Sequence, residues 1–168
     1  ENWNRGPISH KLRWYGDGRW NTVRESTKLT SRYDFCSVVM GDKIYVMGGK
    51  TLEGITRTVL KYDLRTLQLE DNVPDMLCPR FGSSAVAIDG KIYVFGGDTI
   101  ASQSPESLNC MRSVEVFDGK VWRYIPSMKH KRLGSSAVVV DGKAIVMGGY
   151  DGEYHNTVEM YDPKTNKW

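Results

Sequence analysis

One phrase occurs three times in this chain: GDKIYVMGGK from Gly41, DGKIYVFGGD from Asp89 and DGKAIVMGGY from Asp141. A repeat of this kind constrains the fold more than composition can, because each copy must make a like unit that is stabilised by stacking on its neighbours. The glycine pairs Gly48-Gly49, Gly96-Gly97 and Gly148-Gly149 lie 48 and 52 residues apart, and other positions keep register with them. Arg32, Arg80 and Arg132 each precede a pair by 16 residues. Behind each pair comes Val, two variable residues, an aromatic and Asp, in VLKYD, VEVFD and VEMYD, which makes Tyr62, Phe117 and Tyr161 equivalent. Trp122 and Trp168 follow, with Leu69 in the first copy, and Pro74 with Met76, then Pro126 with Met128, lead to the next arginine.

Within a copy the segments are short, rich in Val, Ile and Tyr, and punctuated by turn signals, so they read as strands. Asp89-Gly90 and Asp141-Gly142 separate two apolar runs each and predict tight hairpins. The third strand carries the Val and the aromatic, and the fourth starts at the Trp. Each unit is therefore expected to be a four-stranded antiparallel meander that closes radially with its copies into a propeller. The first strand should lie nearest the axis, where Ser83 to Ala85 and Ser135 to Ala137 supply small side chains.

This arrangement of Arg, apolar strand, DGKIYVFGG, VEVFD, Trp and PSM resembles the kelch repeat. The resemblance implies an all-β, kelch-type β-propeller, with about three four-stranded antiparallel blades of a six-bladed ring. It divides the chain into an N-terminal segment (1–12), the end of a preceding blade (13–31), blades at 32–79 and 80–131, and a blade at 132–168 cut in its fourth strand. Tyr15, Asp17 and Trp20 look like the tail of that preceding unit. Propellers close with about 4 to 8 blades, so the expectation is that the rest of a longer chain supplies the missing ones, in preference to a second copy. The first copy departs from the pattern at Leu60, where the others have Glu115 and Glu159.

The net charge of +3 is too small to point to nucleic acid or an anionic membrane. Cys36, Cys78 and Cys110 form no CxxC pair and leave an odd thiol, which fits a reducing compartment and a cytoplasmic location, cytoskeletal if the partner is actin. No apolar run reaches the roughly 18 residues of a membrane helix.

Antiparallel meanders put their loops on two rims. The loops between second and third strands vary in length, and they share a rim with the segments leading into each first strand, so partner binding is expected there. Its basic residues are Lys28, Arg32, Lys50, Arg57, Arg80, Arg112, Lys129, Lys131 and Arg132, against Glu53, Asp75, Asp98, Glu106, Asp151 and Glu153. The recurrence of Arg32, Arg80 and Arg132 marks them as framework, like the glycine pairs. The partner-binding candidates are Lys28, Arg57, Arg112, Lys129, His130, Lys131, Tyr150, Tyr154 and His155. The tyrosines are amphipathic anchors of the type that protein interfaces favour, and MKHKR is the one basic cluster, with no stacking platform for nucleic acid beside it.

His130 and His155 share the rim without a clear third ligand, so no metal and no cofactor are expected. Similar propellers include a copper oxidase and sugar-acid isomerases, but Tyr150, Tyr154 and His155 come from one loop and do not easily converge on one ion. The resemblance implies non-catalytic protein binding: substrate recognition for a cullin ubiquitin-ligase adaptor of BTB-kelch type, or actin binding and cross-linking. A propeller enzyme is the alternative.

Overall fold

The computed structural model describes residues 11–15, 20–25, 31–66, 68–70, 72–100 and 109–168. Strands β1 (Lys11–Tyr15) and β2 (Trp20–Glu25) pair antiparallel. The first blade comprises β3 (Cys36–Met40), β4 (Lys43–Met47), β7 (Val59–Asp63) and β8 (Leu69–Glu70). A small hairpin, β5 (Lys50–Thr51) with β6 (Gly54–Ile55), projects between its second and third strands. The second blade is β9 (Ser84–Ile88), β10 (Lys91–Phe95), β11 (Val114–Phe117) and β12 (Trp122–Ile125). The third is β13 (Ser136–Val140), β14 (Lys143–Met147) and β15 (Val158–Tyr161), followed by a bridge between Asp162 and Lys167. Each blade is an antiparallel meander, as the repeat predicts, with strands paired in chain order except that the β5–β6 hairpin lies between the paired β4 and β7.

The turns follow from their residues. Asp89 and Gly90 take φ of 48° and 70°, and Asp141 and Gly142 take 49° and 71°. Two successive positive values give the hairpin turn whose twist matches the strands it joins. The first repeat has the order reversed, Gly41-Asp42, and there only Gly41 is left-handed among the two.

Blades stack through their first strands, β3 against β9 and β9 against β13. Ser83 donates to Cys36 Sγ at 3.3 Å and the Ser84 and Ser135 hydroxyls meet at 3.0 Å, so the small residues serve close approach between blades. Two apolar clusters fill the junctions. Met47, Met76, Ile92, Val94, Phe117 and Trp122 lie between the first and second blades. Val86, Ile88, Phe95, Met128, Val146 and Tyr161 lie between the second and third. Each such side chain stabilises by about 1.5–3 kcal/mol when fully buried.

The recurring Pro-x-Met acts as a strap. Trp122 stacks on Phe117 at 5.0 Å and its Nε1 donates to the Pro74 carbonyl of the preceding blade at 2.8 Å. Trp168 repeats this with the Pro126 carbonyl, at 2.6 Å. Tyr62 is buried like its equivalents Phe117 and Tyr161.

The glycine pairs are required by packing as well as by φ. A Cβ on Gly48 would sit 2.3 Å from the Arg80 carbonyl oxygen, and one on Gly96 would sit 2.4 Å from that of Arg132. Gly49 and Gly97 donate their N–H to those same two carbonyls at 2.8 Å. The next blade's arginine backbone therefore lies where any side chain would go.

Candidate functional site

The repeated arginines are buried, and each builds the same cage. Arg80 is fully buried and its Nη1 donates to the Gly96 carbonyl at 2.7 Å, while Nη2 reaches the Ser113 hydroxyl at 3.4 Å. Arg132 makes the equivalent bonds to the Gly148 carbonyl and to Thr157 Oγ1, and Arg32 makes them to Gly48 and Thr58. The side chain thus binds the glycine pair of its own blade while the backbone binds that of the blade before. Burial lowers the Arg32 pKa below the usual value, against the opposing influence of Tyr62 and Asp75.

Two blades add a carboxylate to this cage. Glu115, itself fully buried, accepts from Arg80 Nη2 at 2.5 Å, and also from the backbone N–H of Leu77 at 2.6 Å and of Cys78 at 3.2 Å. Glu159 does the same for Arg132 at 3.0 Å and for the N–H groups of Lys129 and His130 at 2.6 and 3.1 Å. Burial would raise the Glu159 pKa, but these N–H groups with the Arg132 guanidinium and His130 outweigh it and hold it below the ordinary value. The acceptors fix the segments that lead into the next first strand. Those segments are also pinned at both ends, by Met76 N–H to the Arg57 carbonyl and Arg80 N–H to Thr56, and by Met128 N–H to Arg112 and Arg132 N–H to Met111. Between the pins the chain presents three residues at the rim: Leu77-Cys78-Pro79 at the first junction and Lys129-His130-Lys131 at the second.

Sequence reasoning identified the arginines and glycines as framework but assigned no role to Glu115, Glu159, Thr58, Ser113 or Thr157. The signal was present, since Ser or Thr precedes the recurring Val in every copy and Glu follows it in two.

Of the candidate binding residues, Lys28 lies outside the described residues. Arg57, Arg112, Lys129 and Lys131 are exposed on the expected rim. His130 and His155 are brought together with ring centroids 5.4 Å apart, His130 Nδ1 lying 3.2 Å from Glu159 and His155 Nε2 3.0 Å from Asp151. Among the described residues no group of three or more His, Cys, Asp or Glu could hold a metal ion. Tyr154 is 90% exposed, whereas Tyr150 is half-buried, bonded through its backbone to Leu133 and in ring contact with Tyr154 at 5.0 Å. Leu52, which sequence reasoning did not select, is 97% exposed at the tip of the β5–β6 hairpin on the same rim.

The rim charges also differ from their sequence count. Asp98 is fully buried, and it accepts from the N–H of Ile100 at 2.7 Å and of Asn109 at 3.0 Å, closing the base of the second blade's long loop. It belongs to the framework and offers no charge to a partner. The ammonium of Lys50 sits 3.5 Å above the Phe81 ring. The thiols of Cys36 and Cys110 are each pushed up to about 11, by burial first, and with Asp98 adding to it for Cys110.

Comparison with known proteins agrees with the architecture. A family model described as the KLHDC2/KLHL20/DRC7 Kelch-repeats domain matches residues 10–168. The chain is 29% identical to Kelch-like protein 15 of Danio rerio, over 92% of this chain and 30% of that protein. It is 32% identical to Kelch repeat and BTB domain-containing protein 12 of Danio rerio, over 90% of this chain and 27% of that protein. With an F-box/kelch-repeat protein of Arabidopsis thaliana it shares 34% identity, over 56% of this chain and 27% of the other. The chain spans less than a third of the length of each of these relatives.

Proposed function

Because this chain belongs to the kelch-repeat family of β-propellers, we propose that it is a non-catalytic protein-binding part of a ubiquitin-ligase adaptor, and that its rim recruits the protein to be modified. The observation that carries this is the pairing of a rigid frame with unlike rim residues. The fully buried Arg80–Glu115 pair and the pair of buried Arg132 with the partly exposed Glu159 hold the lead-in segments by their backbone N–H groups. On the same rim, in the loops between second and third strands, stand the exposed side chains of Leu52 and of Tyr154, the latter against the Tyr150 ring. Exposed apolar and aromatic groups on a preorganised surface lose little entropy on binding and fit a protein partner. The names of two relatives join kelch repeats to a BTB domain and to an F-box, and the BTB-kelch architecture is the one in which a propeller selects substrates for a cullin ligase.

The test is ubiquitylation of a crosslink-mapped partner by the complete protein bearing Leu52→Asp and Tyr154→Ala. The expected result is a loss of about ten-fold or more in partner affinity with ligase assembly unchanged. Partner binding that ignores both substitutions overturns the reading, and so does co-sedimentation with actin filaments in the absence of any ligase association.

A further inference from the structure

The two blade junctions present different chemistry on one frame. At the first, the exposed Arg57 lies 3.9 Å from Asp75, and the pinned triplet is Leu77-Cys78-Pro79, which carries no charge. At the second, Arg112 takes the place of Arg57, since the Arg112 carbonyl accepts from Met128 as that of Arg57 accepts from Met76. Ser127 stands where Asp75 would neutralise it, and the triplet is Lys129-His130-Lys131. Arg112, Lys129 and Lys131 are all exposed, and none makes an ion pair among the described residues. The neighbouring carboxylates are otherwise engaged: Glu159 by Arg132, His130 and the backbone, and Asp151 by His155. Glu153, on the adjoining loop, is the remaining exposed acid there. Glu159 accepts from the Lys129 N–H at 2.6 Å and the Arg112 carbonyl accepts from the Met128 N–H at 2.9 Å, so two of the three cations project from backbone that is already fixed.

Deepening the protein-binding reading, on which it rests, we propose that the rim between the second and third blades docks a carboxylate-rich segment of the partner protein on Arg112, Lys129 and Lys131, with Tyr154 beside it as an apolar anchor. The rim between the first and second blades does not share this role, because its arginine already has a carboxylate. Unpaired cations in place before binding need no ion pair broken on docking. Arg112 adds a planar fork suited to bidentate carboxylate contact.

The experiment uses the complete protein and a fluorescein-labelled peptide of alternating Glu and Tyr, with a Gln-for-Glu peptide and an oligouridylate of equal charge as controls. Exposed ion pairs contribute a few-fold each, so Arg112→Gln, Lys129→Gln and Lys131→Gln together should weaken the Glu peptide about ten-fold, and Arg57→Gln less than about two-fold. Added salt should erase the difference, since exposed charges are screened over about 10 Å at 0.1 M. Thermal melts confirm that the surface variants stay folded. No binding of the Glu peptide at low salt, equal loss from both sets of substitutions, or oligouridylate binding as tightly as the peptide overturns the proposal. If Tyr154→Ala abolishes binding of both peptides while the Gln substitutions change neither, the acidic-segment proposal fails and the protein-binding reading stands.

Discussion

The second and third blades begin with nearly the same strand, SAVAI and SAVVV, yet they bury it differently. Ser84, Val86 and Ile88 are buried in β9, which lies between β3 and β13. In β13 the equivalent side chains are exposed, with Val138 at 43% and Val140 at 51%. The same contrast runs through the glycine pair. A Cβ on Gly96 meets the Arg132 carbonyl at 2.4 Å, whereas one on Gly148 meets nothing closer than the His155 carbonyl at 3.9 Å. The cage within each blade is alike, so the difference teaches that a blade's own residues set its internal bonds while its neighbours set its burial. A sheet with two apolar faces cannot satisfy itself, and copies of like shape are what it stacks upon.

The largest test of this contrast removes the carboxylate from each cage. Glu115→Ala leaves the fully buried Arg80 without its counter-charge and orphans two N–H groups, which should cost about 3–5 kcal/mol. Glu159→Ala, at a site open on one side, should cost about 1–3 kcal/mol. Denaturant unfolding of the 168-residue chain measures both, and equal losses would break the comparison. The glycines come next. Gly96→Ala combines left-handed backbone with overlap of a neighbouring carbonyl and should cost about 3 kcal/mol or more, while Gly148→Ala carries the backbone penalty alone, about 1–2 kcal/mol. Thermal melts of the two variants sharpen the comparison, since both substitutions share a φ near 60° to 70° and differ only in what lies next to them.

The smallest effect is one of pH. The Glu159 pKa is depressed in the fold, so its stabilisation is complete above the ordinary value of 4.5 and is lost as pH falls through the depressed one. The gap in unfolding midpoint between the native chain and Glu159→Gln should be constant at neutral pH and shrink below about pH 4.5. A gap that widens with acid would remove Glu159 from the cage.

Much of the fold was legible before any coordinates. Asp89-Gly90 and Asp141-Gly142 specify hairpins locally, and the apolar strands on either side need no distant partner to be recognised. The glycine pairs and arginines were legible as framework because they recur in register, although recurrence did not say what they touch. Of the rim candidates, the exposure of Arg112, Lys129, Lys131 and Tyr154 was legible in the sequence, whereas the half-burial of Tyr150 was not, since it depends on its backbone pairing with Leu133. Asp98 was misjudged as a rim charge because its two N–H donors come from its own loop after that loop has closed. Glu115 went unassigned because the N–H groups it binds belong to Leu77 and Cys78, 38 and 37 residues away in a different blade.

The sequence alone determined the meander of each blade, since alternation, turn residues and repeat spacing act over a few positions and fix backbone conformation wherever they occur. Only the tertiary structure decided which charges are satisfied and which stand free at the rim. Burial and ion pairing depend on distances across blades, and a pair such as Arg57 and Asp75, or its absence at Arg112, exists only once neighbouring sheets have been brought together.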